Sequence, residues 1–105
     1  MNTLIYEVNL EIDAAIADAY RAWLREHVAQ MLTLPGFLAA QVFEVLDPPP
    51  ASGRIALCCQ YRLCDADALQ AYFDHHAATM RADGIARFGD RFRATRRVLR
   101  SAWRG

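Results

Sequence analysis

Residues 3–11, TLIYEVNLE, alternate with period two. Leu4, Tyr6, Val8 and Leu10 share one parity, and Ile5, Glu7, Asn9 and Glu11 share the other, which predicts a strand. A three- and four-residue recurrence follows, with Ile16, Tyr20, Trp23, His27 and Met31 on one stripe and Asp18, Arg21 and Arg25 opposite. That spacing predicts a helix from Ala14 to about Leu32, with Asp13 as its N-cap. Pro35-Gly36 ends it, and FLAAQVFEVL, residues 37–46, is apolar on nearly both parities, as in a strand covered on two faces. DPPPASG connects to RIALCCQYRL, a third strand over 54–63. Asp65 then caps a second helix, Ala66 to about Asp83, on which Leu69, Phe73, His76 and Met80 form the inward stripe and His75 falls near Tyr72 and Thr79. Gly84 and Gly89 flank a connection, and FRATRRVLR closes the chain as a fourth strand over 92–100.

The order β-α-β-β-α-β predicts an α+β fold of ferredoxin-like type, a four-stranded antiparallel sheet with two helices on one face. Two helices shelter only one side of such a sheet. The second strand is apolar whichever parity faces out, and the third offers either Ile55, Leu57, Cys59 and Tyr61 or Ala56, Cys58, Gln60 and Arg62. Apolar surface left on the open side calls for a cover. The simplest cover is a second copy packed sheet to sheet about a two-fold axis, the dimeric α+β barrel.

With 105 residues, 54% apolar and 23% charged, the chain has room for one domain spanning 1–105 and none of the marks of disorder. Formal charge is zero, yet residues 81–105 carry eight Arg against two Asp and residues 1–80 carry four Arg against ten acids. Compensation within the molecule or between subunits accounts for this split better than nucleic acid does. Arg93 and Arg97 share one face of the last strand, while Arg96 and Arg100 share the other, so no single basic stripe forms. Arg62 and Arg97 are expected to meet Glu7 or Glu44. The odd set Cys58, Cys59 and Cys64 argues against a disulfide framework and for a reducing, cytoplasmic setting. The N-terminal segment lacks the basic start of a signal peptide, and no apolar run reaches the roughly 20 residues of a membrane span.

Candidate chemistry is sparse. His27 and His76 fall on inward stripes, where a buried, hydrogen-bonded imidazole is the common outcome and a ligand-facing or acid–base role the alternative. No histidine of the second helix has a His, Asp or Glu four residues away, so no metal is expected. There is no glycine-rich phosphate loop and no activating base at fixed spacing from the cysteines.

IYEVNLEID, LREHVAQML followed by GF, CQYRL, and above all HHAATMRADGIARFGDRFRATRRVL resemble a family of short bacterial proteins known only as a domain of unknown function. That family is similar to the dimeric α+β barrel superfamily, which also contains antibiotic-biosynthesis monooxygenases, haem-degrading enzymes and small stress-response barrels. The resemblance implies the fold and a homodimer, and brings no activity. Haem-degrading members use an Asn on the first strand, a His on the second helix and a Trp ending the third strand. Asn9 and His76 lie in comparable elements, whereas Gln60-Tyr61-Arg62 stands where the Trp would be. The resulting expectation is an uncharacterised homodimer holding a small organic ligand between sheet and helices, with no cofactor, near Asn9, Trp23, His27, Tyr61 and His76. The alternative is a monooxygenase of the antibiotic-biosynthesis or haem-degrading type.

Overall fold

In the computed structural model, which describes residues 3–105, four strands form one antiparallel sheet in the order β2-β3-β1-β4. Met1 and Asn2 of the expected 1–105 unit lie outside the described residues. The strands are β1 (Leu4–Asp13), β2 (Phe37–Glu44), β3 (Arg54–Leu63) and β4 (Phe92–Arg100). The helices are α1 (Ala17–Met31), α2 (Ala66–His75) and α3 (Ala77–Phe88), with short 3-10 turns at Ala14–Ile16 and Gly89–Arg91. This is the ferredoxin-like arrangement.

Register assigns each side chain to a face. Tyr6 pairs with Tyr61 and Val98, Val8 with Cys59 and Arg96, and Leu10 with Leu57 and Ala94. Because strand side chains alternate, these cross-strand rows share one face, the one under the helices. Tyr6, Leu10, Ile12, Leu57, Cys59, Tyr61 and Leu63 are buried there with Tyr20, Trp23, Leu24 and Met31 of α1. On the opposite face Glu7 lies between Gln60 and Arg97, and Asn9 between Cys58 and Thr95.

Three local expectations change. Asp13 does not cap α1: β1 runs through it, paired with Arg54, and its carboxylate accepts from Arg91 Nε at 3.5 Å. The amide of Ala14 goes instead to Gly53 O at 2.9 Å, and a 3-10 turn delays the helix to Ala17. β2 ends at Glu44 and is an edge strand, with a bulge between Phe37 and Ala39, so its two-sided apolar character is not buried within the protomer. Val42 and Phe43 remain about 40% exposed.

The second helix breaks at His76, whose backbone (φ −128°, ψ −30°) departs from the helical region. Asp65 does cap α2, accepting from the Ala68 amide at 2.8 Å. The break resets the phase, and α3 continues through Gly84 to Phe88, five residues past the expected end. Tyr72 turns inward at 3% exposure, against the expected stripe, while Phe73 stays 36% exposed with its ring edge-on to Tyr6 at 5.6 Å. Gly89, at φ +57°, ends α3 in a conformation that glycine adopts without a side-chain clash.

Candidate functional site

Between the sheet and the α1/α3 pair lies a half-open cavity of about 290 Å³, near the lower end of the roughly 300–1,000 Å³ usual for small-molecule sites. Its floor is the helix-facing row of Tyr6, Val8, Leu10, Cys59 and Tyr61. Tyr20, Trp23, His27 and Met31 descend from α1 at helical spacing, and Met80, Arg81 and Gly84 come from α3.

Trp23 organises the helix side. Its Nε1–H donates to Asp83 Oδ2 at 2.8 Å, which ties α1 to α3. The indole stacks on His27 with centroids 4.6 Å apart and planes 21° from parallel. Tyr20 tilts against Trp23 at 5.4 Å and against Phe92 at 5.1 Å. On the floor, Tyr61 stacks on Tyr6 at 6.1 Å and meets the edge of Phe37 at 5.8 Å.

Burial governs the ionisation of this wall. It pushes the Tyr61 and Tyr20 phenols well above their ordinary range and raises Tyr72 to about 12. The Cys59 thiol is raised to about 12 for the same reason, which makes it a poor nucleophile. His27 is shifted below its ordinary value, chiefly by burial, with Asp83 pulling upward and Arg96 adding to the depression. Its imidazole is neutral at pH 7 and able to accept a proton.

Of the five residues expected around a ligand, the structure brings together Trp23, His27 and Tyr61. Asn9 lies across the sheet on the open face, where its Nδ2 donates to Glu7 Oε2 at 2.9 Å. That location follows from the odd parity it shares with Glu7. His76, half-buried at the α2/α3 break, does not line the cavity. Sequence reasoning missed Tyr6, Arg81, Arg96 and the Asp83 anchor. Alternation already put Tyr6 and Arg96 on the parities that turn out to face the helices, whereas nothing before the break at His76 signals the phase of Arg81 and Asp83.

The open face carries a second polar cluster. Glu7, only 3% exposed, accepts from Asn9, from Gln60 Nε2 at 3.0 Å and from Arg97 Nε. Those donors, Arg97 foremost, hold its carboxyl at about 2. The expected Arg97–Glu7 pair is therefore present, while Glu44 pairs with Arg21 at 3.7 Å. Among the described residues no group of His, Cys, Asp and Glu is arranged to hold a metal ion, and no helix is long and apolar enough to cross a membrane.

A family model described as a domain of unknown function, DUF4286, matches residues 3–102. No curated protein matches the sequence. Among solved structures, the chain is similar to a variant of SnoaB, a cofactor-independent oxygenase from Streptomyces nogalater. The TM-score is 0.74 at 10% identity, covering 99% of this chain and 97% of that one. A protein of unknown function from Nitrosomonas europaea superposes with TM-score 0.71 at 14% identity, covering 100% and 94%. A dimeric ferredoxin-like protein from an uncultured marine organism gives 0.62 at 10% identity, covering 100% of both chains. At these identities the likeness shows the fold alone.

Proposed function

The chain belongs to the DUF4286 family, a domain of unknown function, and we propose that it acts as a homodimer whose protomers each bind a small aromatic molecule between sheet and helices. The observation that carries this reading is the cavity itself, walled by Tyr20, Trp23, Tyr61 and Tyr72 with a neutral His27 at its side. Aromatic walls with a few convergent polar groups are the usual composition of a small-molecule site. Three free cysteines suit a reducing cytoplasmic setting.

Shape supports the dimer. The protomer is a slab of 41 × 34 × 17 Å with a radius of gyration of 14.2 Å, against about 13 Å for a compact chain of this length. It exposes 6952 Å² where scaling gives roughly 5,900 Å² for its mass. A second copy laid on the open sheet face removes such an excess, and a ferredoxin-like neighbour is dimeric. The proposed dimer buries the Glu7 cluster.

The test of ligand binding is a fluorescence titration with 2-naphthol. Trp23 and Trp103 are the only tryptophans, so quenching that disappears in Trp23→Phe reports occupancy of the cavity. Met80→Trp, which fills the cavity from α3, abolishes binding. Quenching unchanged by Met80→Trp sinks the reading.

A second reading, a cofactor-independent oxygenase like the SnoaB neighbour, is favoured by His27 alone. A neutral imidazole against an aromatic cavity is placed to take a proton from an acidic hydroxyl of the ligand, leaving an electron-rich anion for dioxygen to oxidise. Oxygen uptake with a dihydroxynaphthalene that is lost in His27→Gln supports it, and uptake equal in both proteins removes it.

A further inference from the structure

The ionic side chains that line the cavity are all basic. Arg81 reaches it from α3 and Arg96 from the helix-facing row of β4, and no Asp or Glu joins them. Five of the twelve arginines pair with a carboxylate: Arg21 with Glu44, Arg54 with Glu11, Arg87 with Asp83, Arg91 with Asp13 and Arg97 with Glu7. Arg81 and Arg96 have no carboxylate partner among the described residues. Asp83, next to the cavity, is already engaged by the Trp23 indole and by Arg87.

Arg81 is incompletely satisfied as well as unpaired. Its Nη2 donates to the Tyr6 hydroxyl at 3.1 Å, while its Nε is buried with no acceptor. Buried donors nearly always find a partner, and this one has none among the described residues, so the guanidinium beside the cavity is not fully committed within the protein. A guanidinium presents its donors as a rigid fork matched to the two oxygens of a carboxylate. The field of the two arginines already reaches the cavity wall, since Arg96 lowers the proton affinity of Tyr20, Tyr72 and His27, and Arg81 that of Tyr72.

We propose that the molecule held in this cavity is an aromatic carboxylate, its acid group bound by Arg81 and Arg96 and its ring lying against Trp23 and Tyr61. The proposal rests on the ligand-binding reading above and adds the charge of the ligand. It also gives two arginines of the basic C-terminal quarter a function that compensation by the acidic remainder of the chain does not supply.

The test compares 2-naphthoate with 2-naphthamide, which keeps the ring system and removes the charge, by calorimetric titration of the full-length protein. The expected result is that naphthoate binds at least about tenfold more tightly at low salt, a margin of roughly 1.4 kcal/mol. Arg81→Gln and Arg96→Gln each erase most of that preference, while naphthamide affinity stays within about twofold. Equal affinities for the two probes, or a preference that survives both substitutions, overturns the proposal and leaves the cavity as an uncharged aromatic site. Absence of binding by either probe removes the ligand-binding reading along with it. Arg96 is exposed at the protein surface, so Arg96→Gln decides the matter even where Arg81→Gln fails to fold.

Discussion

Gly84 lies directly beneath the Trp23 indole, so close that a Cβ at position 84 would come within 2.9 Å of the ring carbon Cη2 and 3.2 Å of Cζ2. The ring has no easy retreat, since its nitrogen is held by Asp83, the residue before Gly84. α1 and α3 thus approach over a position without a side chain, and that approach sets the height of the cavity roof. Alanine there gains helix propensity of roughly 1 kcal/mol but overpacks at a cost of roughly 1–3 kcal/mol. Gly84→Ala is expected to lose about 1 kcal/mol net in urea unfolding. In a Trp23→Phe background, where the large ring is gone, the same change becomes neutral or stabilising. A double-mutant cycle with no coupling between the two positions refutes the contact.

Glu7 is the most strongly perturbed carboxylate, held near 2 by Arg97, Asn9 and Gln60 against an ordinary 4.5. A depressed folded-state pKa means that the unfolded chain takes up a proton first as acid is added. The stabilisation is therefore complete above about 4.5 and is lost as pH falls toward about 2. Thermal melts across that window should show a falling Tm for the wild-type protein. Glu7→Gln should melt lower than wild type at pH 6 and converge with it near pH 2. Parallel curves for the two proteins contradict the assignment.

Phe43 pairs with Cys58 on the open face of the sheet and is 40% exposed, so its replacement costs the lone protomer little. In a sheet-to-sheet dimer it is buried. Phe43→Asp is expected to raise the dimer dissociation constant by roughly 100-fold, about 2.7 kcal/mol, by setting an unpaired charge in the interface. Light scattering reads this as a change from twice 11.9 kDa toward 11.9 kDa. Ala86→Asp, exposed on α3, leaves the mass unchanged. A single protomer mass for the wild-type protein at micromolar concentration eliminates the dimer.

Strand parity was the legible part of this sequence. Alternation in β1 assigned Tyr6, Val8 and Leu10 to one face and Glu7 and Asn9 to the other, and the register with β3 and β4 repeats that assignment. The α1 stripe was legible for the same reason, an unbroken 3.6-residue period from Tyr20 to Met31. The second helix was not. Its break at His76 involves neither proline nor glycine, and a phase carried across it places Phe73 inside and Tyr72 outside. Asn9 shows a different failure: it was placed beside the cleft against its own parity. Arg81 and Arg96 were hidden because a count of charges says nothing about which arginines lack a partner.

His27 links ionisation to the proposed ligand. Burial first, and then the charge of Arg96, depress its pKa below 6.5, with Asp83 opposing both. Above 6.5 both folded and unfolded states carry a neutral ring, and no pH dependence arises. Below 6.5 the unfolded chain binds the proton that the folded protein refuses, so stability falls with pH until the folded-state value is reached. NMR titration should find the His27 midpoint below 6.5, moved upward in Arg96→Gln and further down in Asp83→Asn. His27→Gln should flatten the stability profile just below 6.5 while leaving the Glu7 window intact. A carboxylate bound at Arg81 and Arg96 adds a negative charge beside the imidazole, so saturating 2-naphthoate should raise the His27 midpoint where 2-naphthamide does not. A midpoint at or above 6.5 in the free protein, or one indifferent to Arg96→Gln, contradicts the burial and charge argument on which His27 is assigned its neutral form.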